Sequence, residues 1–166
     1  MPTGALSITT AVIRPTEGIF MIKITVSEAF SFVPPRRRAV LCIRRGDGGT
    51  ELVSTQWFTW LNITRQPMLS YSMERASLLG LDVKAGDEVF LAFPPEKDVL
   101  LYSSGVSKSS ADTQKSEFPV ALPVNCEVLF QCRIEHAYNY PFRKVRIFNC
   151  DLDASYASEA LFSQET

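Results

Sequence analysis

The chain of 166 residues is poor in histidine and carries almost no net charge, and each shortage excludes a class of function. The single histidine, His136, has no Cys or His at ligand spacing, so no metal site is expected. The four cysteines, Cys42, Cys126, Cys132 and Cys150, form no Cys-x-x-Cys pair. They read as buried free thiols in a reducing, cytoplasmic setting. With 17 basic and 18 acidic residues the net charge is -1, which offers no field for a phosphate polymer. Nucleic acid is therefore not an expected partner. No apolar run approaches the roughly 18 residues of a membrane span, and no secretory pattern opens the sequence. A membrane is not an expected partner either. Gly-x-Gly-x-x-Gly, the Walker loop and the Gly-x-Ser-x-Gly elbow are all missing, and a Ser-His-Asp triad would rest on His136 alone.

What remains is a β-rich pattern. Strands are expected at Phe20 to Val26, Arg38 to Arg44, Glu51 to Thr59, Met68 to Ser72, Glu88 to Phe93, Asn125 to His136 and Arg143 to Asp153. Gly46-Asp47-Gly48-Gly49 is a hairpin signal, because glycine and aspartate tolerate the positive φ of tight turns. Cys126, Val128, Phe130 and Cys132 alternate along one expected strand face. Short helices are expected near Ser77 and from Pro94 to Gly105. Residues 103–116 read as a polar loop, and the arginines at 36, 37 and 38 as a solvated strand end. The chain is expected to be one domain over residues 1–166, with a loose arm at 1–18 and a C-terminal tail at 155–166. The fold class is mainly β, a closed or nearly closed antiparallel barrel with a few short helices, since closure removes exposed strand edges.

The block from Gly48 to Ser77 carries the chemistry. It holds both tryptophans, Trp57 and Trp60, among hydroxyl and amide side chains. Such a set can line a slot for a planar heterocycle, and Arg75 with Ser77 can hold a phosphate through a charge-assisted fork and a hydroxyl. Packing of both tryptophans in the core with serines facing outward is the plainer alternative. In order and spacing, Gly48-Gly49, Ser54-Thr55-Gln56-Trp57, Gln66-Pro67, Ser70-Tyr71-Ser72 and Arg75-Ala76-Ser77 resemble the flavin reductase-like family of the FMN-binding split barrel.

The resemblance implies a six-stranded antiparallel Greek-key split barrel, with FMN as cofactor and NADH or NADPH as co-substrate, bound by a homodimer. It implies that Ser54, Thr55, Gln56 and Trp57 border the flavin ring, that Ser72, Arg75 and Ser77 hold its phosphate, and that a loop carrying Lys115 lies over the site. The sequence departs from the family pattern at Glu51, Gln66 and Glu117, and in Lys144 to Asn149, where a histidine is usual. The expected function is a flavin reductase-like oxidoreductase passing hydride from NAD(P)H to flavin. Its alternatives are an FMN-binding electron-transfer module and a cofactor-free barrel interaction domain.

Overall fold

The computed structural model describes residues 20–33, 37–56, 58–62, 67–74, 83–102, 113–139 and 145–164. The expected arm at 1–18, the helix near Ser77 and most of the 103–116 loop lie outside them. One antiparallel sheet dominates. Its strands are β1 (Met21–Ile24), β2 (Ala39–Arg44), β3 (Thr50–Thr55), β4 (Phe58–Asn62), β5 (Met68–Glu74), β6 (Glu88–Phe93), β9 (Val128–Asn139) and β10 (Val145–Ser158). A two-stranded ribbon pairs β7 (Thr113–Gln114) with β8 (Leu122–Pro123).

The strand order is β3-β2-β6-β9-β10-β5-β4, with β1 added to β10. Its two edge strands, β3 and β4, are neighbours in the chain and only residues 56 and 57 separate them. Three Cα steps span no more than about 11 Å, so the sheet must curl until its edges nearly meet. No ladder joins β3 to β4 among the described residues, which leaves the seam open. The result is the split barrel that the sequence predicts. The expected single strand from Glu51 to Thr59 is corrected to two strands, because the chain turns the barrel corner at Gln56. Neither glycine nor proline marks that turn.

The long hairpin of β9 and β10 is bent by two register shifts, which leave Glu135 and Asp153 without an opposite residue. The second bend falls where β10 changes partner. Residues up to Asp151 pair with β5, and Ser155 to Ser158 pair with β1. Ser155 to Ser158 thus belong to the sheet rather than to the expected C-terminal tail. A short helix, Glu159–Gln164, follows directly.

Strands β2 and β6 are buried on both faces, which explains their unbroken apolar runs. Leu41, Ile43, Val89, Leu91 and Phe93 face the barrel interior with Phe130, Cys132 and Phe148. Val40, Cys42, Phe90 and Ala92 face an outer layer. That layer is closed by Val99 and Tyr102 from a 3-10 helix (Glu96–Tyr102) and by Val120, Leu122 and Cys126. Cys126 therefore sits apart from Val128, Phe130 and Cys132, against the shared face expected from alternation. Asn125 takes a positive φ of 60° and β9 starts only at Val128, so the chain crosses between layers first. All four thiols are free and buried.

Helix α1 (Val26–Phe32) starts where the sequence suggests more strand. Thr25 and Glu28 form a capping box, with Glu28 N–H donating to Thr25 Oγ1 at 3.1 Å and Thr25 N–H to Glu28 Oε1 at 3.0 Å. The helix lays Ala29 and Phe30 on the barrel core, where Phe30 meets Trp60 edge-on at 4.8 Å. Arg37 is also more than a solvated strand end. Its Nη2 donates to Glu127 Oε1 at 2.6 Å and to the Pro94 carbonyl, tying β2 to the ends of β6 and β9.

Candidate functional site

The β4–β5 hairpin sets Phe58 opposite Tyr71 and Thr59 opposite Ser70. On the other side of β5, Ser72 stands opposite Ile147 and Ser70 opposite Asn149 of β10. Leu69 and Tyr71 are buried in the barrel core, so alternation turns Ser70 and Ser72 to the outer face. An open cavity of about 310 Å³ lies on this face. Ser70, Ser72, Thr59 and Ile147 line it, with Phe58 and Tyr71 at its β4–β5 border and Gln56 at the barrel corner. Its volume lies at the lower end of the range for small-molecule sites, about 300–1,000 Å³. No carboxylate lines it, and its polar groups are hydroxyls and one amide.

Below the cavity floor the Tyr71 ring stacks on Phe148 at 4.8 Å and 18°. Arg146 lies 5.0 Å from the centre of the Phe148 ring and donates to the Val83 carbonyl at 2.8 Å. The Tyr71 hydroxyl is buried and has no hydrogen-bond partner among the described residues. Burial, with a smaller push from Cys150, drives its pKa well above the usual phenol value. On the outer face beyond the cavity, Arg133 bridges Asp153 at 3.5 Å and Asp151 at 4.0 Å. A hydrogen bond with Asp151 raises the Glu135 pKa.

Of the residues expected at a flavin, Gln56 and Ser72 come together at this cavity. Thr55 is buried at the end of β3. Ser54 stands opposite Val40 and does not line the cavity. Lys115 is exposed beyond the β7 ribbon and is also absent from the cavity wall. Trp57, Arg75 and Ser77 lie outside the described residues, although β5 ends at Glu74, one residue before Arg75. Sequence reasoning missed Thr59 and Ile147. Alternation could have put Thr59 beside Ser70, but the cross-strand register that brings in Ile147 is written in no local motif.

Of the departures from the family pattern, Gln66 and Lys144 lie outside the described residues, while Glu51 and the Phe118 step have structural partners. Glu51 faces Arg45 at 3.6 Å, and Asp47 faces the same guanidinium at 3.3 Å. Asp47 also accepts from Gly49 N–H at 2.8 Å, which lowers its pKa together with the Arg45 charge. Phe118, in the Ser116-Glu117-Phe118 step, packs on Tyr156 at 4.8 Å and on Phe90 at 5.5 Å. It serves as an anchor for the outer layer.

No protein-family model and no curated protein matches the sequence. Solved structures do match in fold. Flavoredoxin from Methanosarcina acetivorans is 17% identical at a TM-score of 0.59, over 89% of this chain and 75% of that one. An FMN-binding protein from Thermus thermophilus, solved with bound p-hydroxybenzaldehyde, is 18% identical at 0.57, over 77% and 75%. The flavin reductase HpaC, solved with NADP+, is 10% identical at 0.56, over 92% and 86%. The chain has the split-barrel fold of flavin reductase-like proteins.

Proposed function

We propose that this split barrel binds FMN at the β4–β5–β10 cavity and works as an oxidoreductase that takes hydride from NADH or NADPH. The observation that carries the reading is the meeting at one cavity of Gln56, from the barrel corner, and Ser72, from β5. The lining suits the group. A planar ring finds apolar contact at Phe58 and Ile147, and its polar edge finds the Gln56 amide and the Thr59 and Ser70 hydroxyls. Ser72 points the way to Arg75 and Ser77, whose cation and hydroxyl would hold the phosphate. FMN, when bound, supplies the hydride-accepting chemistry, so the chain needs only to orient, anchor and shield. Its own share is to fix the ring at the barrel corner.

The rest of the reading follows from the same fold. We take the chain to act as one domain, since β1 and β10 bring the two ends of the described region into one sheet. A homodimer would bring a second copy of the Lys115 segment to the site. Four buried thiols suit a reducing cytoplasm. Among the described residues no helix is long and apolar enough to cross a membrane. A second reading, an FMN module without a nicotinamide site, draws support from Lys115, which stands away from the cavity of its own chain.

The deciding experiment is the visible spectrum of the purified protein after addition of FMN and gel filtration. Retained flavin bands are expected, and a colourless protein would overturn the reading. Replacement of Arg75 with Ala is expected to weaken FMN binding by roughly 10- to 100-fold, the range of a charge-assisted hydrogen bond. NADH or NADPH oxidation by the loaded protein then separates the oxidoreductase from the electron-transfer module.

A further inference from the structure

The residue rows that enter the cavity run on across β10 to β9. Ser72 stands opposite Ile147, and Ile147 opposite Tyr138. One row away, Ser70 stands opposite Asn149, and Asn149 opposite His136. Ala137, between Tyr138 and His136, packs against the barrel core, so alternation turns these two side chains to the cavity's face. Directly opposed side chains have Cβ atoms about 5 Å apart, so the Tyr138 ring borders the cavity-lining Ile147.

A lone exposed aromatic residue is ordinary, but one continuous with a cavity extends its wall. Tyr138 is 47% exposed. Among the described residues Tyr138 has no hydrogen-bond or ring partner, and His136 has the electrostatic attraction of its chain neighbour Glu135. The row of Ser70 and Ser72 continues to Glu74 at the end of β5, opposite Val145, and further charged residues lie past His136. There Glu135 pairs with Asp151, and Arg133 is held between Asp151 and Asp153. The strip from the cavity to Tyr138 offers a ring face, hydroxyls, an amide and an imidazole.

We propose that Tyr138 and His136 form a second wall of the site, at which a planar aromatic carbonyl compound binds. Its ring stacks on Tyr138 and its carbonyl accepts a hydrogen bond from the His136 imidazole. That this compound meets the flavin as second substrate rests on the function proposed above, whereas its binding does not.

Because the chain has one histidine, its imidazole gives a single set of NMR signals. Acetophenone titrated into the full chain without added FMN is expected to shift them saturably. Tyr138→Ala is expected to weaken that binding roughly three- to tenfold, while Tyr138→Phe retains it. Cyclohexyl methyl ketone, which lacks the flat ring, is expected to bind more weakly than acetophenone. An absent or non-saturating shift, equal affinity in Tyr138→Ala, or equal affinity for the saturated ketone would each overturn the proposal. Retained FMN beside a null titration would sink this wall alone, and a positive titration on a protein that holds no FMN would sink the flavin reading alone.

Discussion

At the scale of single residues, Tyr71 and Arg37 show how differently the barrel treats a buried polar group. Arg37 Nη2 is drawn in between two acceptors, each contact tying one strand end to another, although its Nε has no hydrogen-bond partner among the described residues. Tyr71 contributes its ring to the stack on Phe148, but its hydroxyl has no hydrogen-bond partner among the described residues. An unpaired buried hydroxyl forfeits its bonds to water, a penalty of about 1–3 kcal/mol. Tyr71→Phe keeps the ring and removes the penalty, so it is expected to raise stability by about 1 kcal/mol in urea unfolding. A loss of stability would instead mean that the hydroxyl is bonded in solution, for which an internal water is the natural partner.

At the scale of elements, the sequence is legible where a strand is buried on both faces or bounded by a strong turn. The runs at β2 and β6 and the Gly46–Gly49 hairpin have such local signals, and Gly48 takes the positive φ of 90° that the turn requires. The corner at Gln56 and helix α1 were less readable. The corner is set by closure of the whole sheet, and β-branched residues on both sides of Thr25 imitate a continuing strand. The signal for α1 was nevertheless present as Thr25-x-x-Glu28. Thr25→Ala is expected to cost about 1 kcal/mol through loss of the cap, with Thr25→Ser close to the parent. Equal urea midpoints for all three proteins would show that α1 is held by Phe30 and Ala29 alone. The site divides in the same way. Gln56 and Ser72 belong to a recognisable order of residues, whereas Tyr138 and His136 join the cavity face only through the β9–β10 register, which the Glu135 bulge shifts by one.

At the scale of the whole molecule, the thiols report on both layers at once. Cys132 and Cys150 lie inside the barrel, and Cys42 and Cys126 lie in the outer layer. Burial raises every one of their pKa values, and pushes those of Cys126 and Cys150 from 9.0 to about 12. The folded protein thus keeps protons that the unfolded chain releases once the pH passes about 9. The stability these thiols contribute is full below that pH and is lost as the pH climbs toward 12. Each thiol that ionises only in the unfolded chain lowers stability by about 1.4 kcal/mol per pH unit. Urea midpoints are therefore expected to fall steadily between pH 9 and the alkaline unfolding limit, and replacement of Cys150 with Ser should flatten that fall. Thiol reagent offers a parallel test at neutral pH, where the folded chain is expected to leave all four cysteines unlabelled. Because β2, β6 and β9 each contribute side chains to both layers, the layers should open together and label all four with one rate constant. Faster labelling of Cys42 and Cys126 would mean that the 3-10 helix and its neighbours lift from the barrel as a separate unit.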